Sequence, residues 1–375
     1  MLALAVAAPA SAIPAFARRY GLTCLTCHDP VPKLNGFGEQ FLGRGYRLAD
    51  DDTTGTATFG DPLLWLAQSL PVAVRMDAYV RAYGGRTVHT DLATPLVAKL
   101  LSGGPISPSI SYYFYLLLAE DGLTGPIEDA WLMFRRPFGI PASVTVGQFQ
   151  IADPVWKREV RLSLEDYQIL SQVIGDGAAR LSYDRGIGVE FDPTASSHAA
   201  VQLVNGNGIG ESTDGVFDGD APKTGALWVT QQLGPVRLGA MGYYGSQRLD
   251  RSGTLRRNRT WMTGPSVQLE RGNLQLNGQY VWRYDSDPTF DQAFPKARTN
   301  GGFLEAVWWP RGRGSRIVAT GLYNRIDSDV EEAKYETATV NVSWLARRNV
   351  RLAGEVTWDF LADHPRAALG FVTAF

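Results

Sequence analysis

Cys24, Leu25, Thr26, Cys27 and His28 place two thiols and an imidazole in a C-x-x-C-H arrangement that holds both cysteines of the 375-residue chain. Two intervening residues let both sulfurs reach one edge of a haem as thioethers, while the adjacent His28 imidazole turns back onto the iron as proximal ligand. The same residue types begin a zinc site or a dithiol redox pair. Zinc needs two further Cys or His ligands, and a dithiol pair expects a thioredoxin-like βαβ setting. The other histidines, His89, His198 and His364, are isolated in the sequence. The motif therefore reads as the site of one covalent haem c.

The elements that must position this motif follow from its surroundings. Residues 1–12, rich in Ala and ending Ala-Ser-Ala, read as the end of a secretory signal peptide with cleavage after Ala12. Export agrees with the motif, because bacteria attach haem covalently outside the cytoplasm. Residues 13–48 form the haem segment, 49–69 a linker and 70–375 the main domain. Fewer than forty residues cannot exclude water from so large an apolar group, so the rest of the chain must cover the haem.

Composition describes that covering domain. Forty Gly, ten Trp, fifteen Tyr and sixteen Phe point to many strands with tight turns, and a net charge of −2 gives no basis for a nucleic-acid partner. No later apolar run is long enough for a spanning helix, so a membrane position requires a closed barrel. The period of two supports one. Asn273, Gln275, Asn277, Gln279, Arg283 and Asp285 alternate with Leu274, Leu276, Tyr280, Trp282 and Tyr284. Arg351, Glu355, Thr357 and Asp359 oppose Val350, Leu352, Val356 and Trp358, and Arg75, Asp77, Tyr79 and Arg81 oppose Val72, Val74, Met76 and Val80. Aromatic residues gather at strand ends on the apolar side, and the chain ends in Phe375, like an outer-membrane assembly signal.

About sixteen such segments are predicted. The first eight lie near 72–83, 92–101, 109–119, 127–136, 142–150, 180–191, 198–204 and 225–233. The others lie near 236–244, 260–270, 273–284, 299–309, 315–324, 335–345, 349–360 and 366–375. The phase slips at Gly147, which predicts a glycine bulge there. Tight turns at 232–235, 270–273, 311–314 and 346–349 alternate with long polar loops at 205–224, 245–259, 285–298 and 325–334, as in a barrel with both termini inside. The loop 151–179 holds the ordinal place of the loop that folds into a porin lumen; a solvated surface loop is the other reading. Glu211, Asp214, Asp218 and Asp220 form an acidic loop able to offer carboxylates to a cation, without EF-hand spacing. The fold class is thus all-β, a transmembrane antiparallel barrel of about 16 strands with the haem segment plugging its lumen.

Phe16-Ala-Arg-Arg-Tyr-Gly21, the haem motif, Pro32-Lys-Leu-Asn-Gly-Phe-Gly-Glu-Gln-Phe41 and Gly45-Tyr46 resemble the N-terminus of the outer-membrane cytochrome–porin fusions, which include the iron-oxidising cytochromes of neutrophilic iron oxidisers. The resemblance covers about 35 residues. It implies a mono-haem plug in a porin-like barrel, located in a Gram-negative outer membrane and in contact with its lipid. It further implies electron transfer to periplasmic carriers such as soluble c-type cytochromes, with extracellular Fe(II) as a candidate donor. The alternative is a solute-conducting porin in which the segment is a structural or sensory plug. No methionine or second histidine follows His28 within the segment, so the sixth iron position is weak, vacant or filled from the barrel. Strand parity points Met76 to lipid, Met241 and Met262 inward near the outer end, and Met133 and His198 inward in the periplasmic half. Met133 or His198 is the expected distal ligand.

Overall fold

The computed structural model describes residues 15–49, 52–69, 71–85, 87–251, 253–292 and 294–375. The expected signal-peptide remnant, residues 1–12, lies outside them. Three short helices come first: α1 (Ala15–Tyr20), α2 (Cys24–Cys27) and α3 (Gly36–Gly43). Between residues 52 and 69 a small ladder pairs Thr56–Ala57 with Leu66–Ala67.

Sixteen antiparallel strands then form one closed barrel. They are β1 (Val72–Tyr83), β2 (His89–Pro105), β3 (Ile110–Glu120), β4 (Ile127–Arg135), β5 (Ala142–Gln150), β6 (Tyr183–Thr194), β7 (Ser197–Val204) and β8 (Thr224–Leu233). The second half comprises β9 (Val236–Arg251), β10 (Thr254–Arg271), β11 (Leu274–Asp285), β12 (Ala297–Trp308), β13 (Ile317–Ser328), β14 (Tyr335–Arg347), β15 (Val350–Asp359) and β16 (His364–Ala374). Each strand pairs with its sequence neighbour, and β16 closes onto β1 with Leu369 opposite Val80. Closure leaves no strand edge unpaired, which is the condition for crossing lipid without helices.

The two faces of the wall are inverted relative to a soluble protein. On β14, Thr337, Thr339, Asn341 and Ser343 are buried inside, while Val340, Val342 and Trp344 point outward with 61 %, 50 % and 46 % of their surfaces exposed. On β15, Arg351, Glu355 and Thr357 are buried and Leu352, Val356 and Trp358 face out. An apolar exterior around a polar interior suits a lipid surround. Exposed aromatics bound this exterior, with Tyr244, Trp261, Trp282, Trp358 and Phe360 toward the loop end and Trp308 and Trp344 toward the turn end. Trp308 pairs with Leu274, and Trp282 lies farther along the same strand. At ~3.3 Å per residue and a tilt of ~40°, the separation is ~20 Å across the wall.

Two expectations need correction. No bulge occurs at Gly147, since β5 stays in register with both β4 and β6 through Gln148. The irregularity belongs to the neighbouring pair, where Tyr115 opposes Asp129 but Leu116 opposes Ile127, leaving Glu128 as the extra residue. The Gln148 amide donates to the carbonyl oxygens of Ile127 and Glu128, so it serves the backbone groups at that bulge. Gly147, at φ +139°, lies against β4 where a Cβ would overlap the Ala130 carbonyl oxygen. The expected long loop 245–259 is instead mostly strand. Arg248 opposes Arg257 and Arg251 opposes Thr254, so the hairpin of β9 and β10 extends beyond the lipid-facing band.

The 151–182 loop between β5 and β6 folds inward. Trp156, Tyr167, Ile169 and Leu170 pack with wall residues including Trp228, Met241, Met262 and Phe303 in the main apolar cluster of the lumen. Among the described residues no helix is long and apolar enough to cross a membrane. Two carboxylates of the acidic loop are already engaged, Asp218 by Lys223 within the loop and Asp220 by the Arg248 backbone N–H of β9.

Candidate haem-attachment site and lumen

Cys24 and Cys27 occupy one four-residue helical turn, and neither is in a disulfide. Burial raises both thiol pKa values, the opposite of the lowered value that activates a redox dithiol. Among the described residues, no three His, Cys, Asp or Glu side chains converge so as to hold a metal ion. His28 Nδ1 lies 2.6 Å from the Pro32 carbonyl oxygen. That contact makes Nδ1 the donor, so Nε2 carries the lone pair that a metal would take. Burial also holds the imidazole pKa below its ordinary value, which keeps Nε2 unprotonated. Two half-buried thiols beside an oriented, neutral imidazole fit one haem c.

The chain around the motif is tightly built. His28 bridges Leu34, the Asp29 N–H donates to the Lys33 carbonyl at 2.9 Å, and the Asn35 N–H donates to the Cys27 carbonyl at 2.9 Å. Asn35 caps α3 by accepting from the Gly38 N–H at 3.0 Å, while its amide donates to the Leu25 and Thr26 carbonyls at 3.3 and 3.2 Å. One side chain thus joins α2 to α3. Phe41, on α3, packs edge-on against Phe16 and Tyr20 of α1.

The barrel holds this segment at several places, among them an ion pair of 3.0 Å between Arg237 of β9 and Glu39 of α3. On one side Tyr46 stacks on Phe16 at 4.4 Å and meets Tyr113 and Trp131 of the wall, and the Ser111 hydroxyl donates to the Gly45 carbonyl at 2.7 Å. On the other, the hairpin of β12 and β13 grips residues 29–33. The Gly314 N–H donates to Asp29 Oδ1 at 3.2 Å, and Lys33 Nζ lies 3.2 Å from Glu305 Oε2. Neither Lys33 nor Glu305 was identifiable as a site residue from sequence. Alternation assigns Glu305 to the inner face, but no local pattern links it to a segment 272 residues away.

The expected distal ligands occupy different places. Met133 is buried on β4, opposite Ser111 and Thr145, on the wall patch that also receives Gly45. His198 sits at the turn end of β7 with Nδ1 2.9 Å from Asp192 Oδ1 and Nε2 3.5 Å from Glu190 Oε2.

The inner loop completes the lumen. Glu355 accepts from the Leu164 and Glu165 N–H groups at 2.8 and 3.0 Å, and Arg283 donates to the Gln172 and Ala179 carbonyls at 3.0 and 2.9 Å. Lys99 Nζ lies 3.0 Å from Glu159 Oε2, and the Tyr183 hydroxyl also donates to that carboxylate. Burial alone would raise the Glu159 pKa, but Lys99, Tyr183, Arg161 and Arg158 outweigh it and hold the value down at about 2. Asp153 goes the other way. Its burial, opposed by Lys157 and reinforced by Glu159 and Glu190, raises its pKa to about 6. Between loop and wall lies a cavity of about 300 Å³ lined by charged groups including Arg75, Asp77, Lys99, Arg351 and Glu355.

No family model and no curated protein matches the chain. Solved structures do. An anion-selective porin from Comamonas acidovorans superposes at TM-score 0.59 with 14 % identity, covering 82 % of this chain and 99 % of its own. A loop-deletion mutant of OmpT, an outer membrane protein of Vibrio cholerae, gives 0.58 with 9 % identity, covering 81 % and 98 %. Salmonella typhi OmpF in complex with daunomycin gives 0.55 with 8 % identity, covering 81 % and 97 %. The fold of the chain is that of outer-membrane porins.

Proposed function

We propose that the chain is a Gram-negative outer-membrane cytochrome of the porin-fusion type, with one haem c on Cys24, Cys27 and His28, that moves electrons between the exterior and periplasmic carriers. The observation that supports this reading most directly is the 2.6 Å contact from His28 Nδ1 to the Pro32 carbonyl, on a segment held within the turn end of a barrel. When bound, the haem supplies a one-electron couple. The protein's share is to hold and shield it. Cys24 and Cys27 anchor it covalently, Pro32 orients the imidazole, and the barrel attachments keep the segment in the lumen. Met133 would be the preferred second protein ligand to the iron, since it is buried on the inner wall, whereas both His198 nitrogens face carboxylates. Extracellular Fe(II) is the candidate donor that the sequence resemblance supplies, and soluble c-type cytochromes are the candidate acceptors.

The test is expression with a haem c maturation system, followed by addition of Fe(II) to whole cells. Covalent haem that becomes reduced in intact cells supports the reading, and a chain that matures without haem overturns it. The charged cavity, together with the likeness to porins, supports a second reading as a solute-conducting porin plugged by the segment. Solute conductance that is unaffected by haem redox state would favour that reading.

A further inference from the structure

Glu305 is fully buried in the wall, and three groups from three parts of the chain converge on its carboxylate. Lys33 Nζ lies 3.2 Å from Oε2, the Asn277 amide donates to the same oxygen at 2.6 Å, and the Tyr167 hydroxyl of the inner loop donates to Oε1 at 2.9 Å. Lys33 directly follows Pro32, whose carbonyl holds His28 Nδ1, and the Lys33 carbonyl accepts from the Asp29 N–H. Lys33, 272 residues from Glu305 in sequence, thus places its cation on a carboxylate that is 1 % exposed, one residue beyond the carbonyl that holds His28.

We propose that Glu305 is a positioning residue for the proximal side of the haem site, acting through Lys33 on the Pro32–His28 contact, and that Tyr167 ties this support to the docked inner loop. The inference rests on the haem reading for its spectroscopic consequences, but the positioning itself does not require haem. Removing the carboxylate charge leaves Lys33 without a counterion and loosens residues 28–33, while the Asp29–Gly314 attachment still holds the segment near the wall. Undocking the loop removes the Tyr167 bond and leaves Glu305 held by Lys33 and Asn277 alone.

The experiment uses the full-length chain in detergent, with and without haem maturation, as wild type and as Glu305→Gln, Lys33→Met, Lys33→Arg, Tyr167→Phe and the Glu305→Gln/Lys33→Met double variant. In the haem-free protein, maleimide labelling of Cys24 and Cys27 should rise about tenfold in Glu305→Gln and in Lys33→Met. The double variant should label no faster than either single one, and Lys33→Arg should behave as wild type. In the haem-loaded protein the same variants should shift the iron–histidine stretching band and the midpoint potential together, with Tyr167→Phe shifting them less in the same direction. Labelling and band positions unchanged in Lys33→Met, a variant outside the barrel wall, would overturn the proposal. Additive effects in the double variant would also overturn it. A wild type that takes up no haem would sink the haem reading alone, because thiol labelling would still decide whether Glu305 positions the segment.

Discussion

At Gly38, α3 passes so close to the motif that an added methyl group would overlap the Cys27 carbonyl oxygen, with Leu34 beside it. Gly38→Ala should therefore destabilise the haem segment by about 1–3 kcal/mol without touching the barrel. The expected result is less covalent haem per heat-resistant barrel, read by haem stain against total protein; equal loading would show that the segment yields there without penalty. Cys24, Cys27 and His28 stand at fixed local spacing, so the haem reading can be made from sequence without a fold. Asn35, Lys33 and Glu305 are not legible in the same way, because their partners are set by the lumen.

The inner loop shows how an element responds to charge. Between about pH 6 and pH 4, Asp153 takes up a proton when docked sooner than it would in a free loop, so docking strengthens as pH falls through that window. Glu159 acts with the opposite sign. Its depressed value contributes stability that is present above the ordinary carboxylate range near 4.3 and is lost as pH falls toward about 2. Docking should be tightest near pH 4, and protease cleavage within 151–182 should be slowest there. A rate that falls steadily from pH 7 to pH 3 would contradict this account. Arg283→Met should release the loop, because the Gln172 and Ala179 carbonyls lose their donor at a cost of about 2–4 kcal/mol, and ion conductance in planar bilayers should increase. Strand identity was legible from the two-residue period, and the sixteen segments were found for that reason. The phase slip at Gly147 reads locally as a glycine bulge, but its cause is on the adjacent strand, where the Gln148 amide serves the backbone around the extra residue Glu128.

For the whole molecule, an apolar exterior and a polar, loop-filled interior predict heat-modifiable migration on gels and a β-rich circular dichroism spectrum in detergent; a helix-dominated spectrum would overturn the architecture. The segment should depend on the barrel for its order. Tyr46→Ala removes the ring that joins Phe16 to Tyr113 and Trp131, at a cost of about 3–5 kcal/mol, and should make residues before 60 protease-sensitive while the barrel band persists. Fold class was readable because lipid imposes one rule on every strand. How tightly the lumen is filled was not, because alternation assigns residues to the inner face without saying which of them meet across it.

The grip of the β12–β13 hairpin on residues 29–33 also dictates a timetable. Its partners lie 272 and 285 residues apart in the chain, so the attachment closes a loop that encloses most of the barrel. Closing so long a loop early would demand about 3 kcal/mol more entropy than a ten-residue one. Residues 29–33 should therefore stay undocked during biogenesis until the last strands have inserted, leaving the thiols open to the maturation apparatus, whereas the Gly45–Ser111 attachment spans only 66 residues and can form earlier. In a timed assembly reaction, the heat-resistant barrel should appear before Cys24 and Cys27 become protected from maleimide.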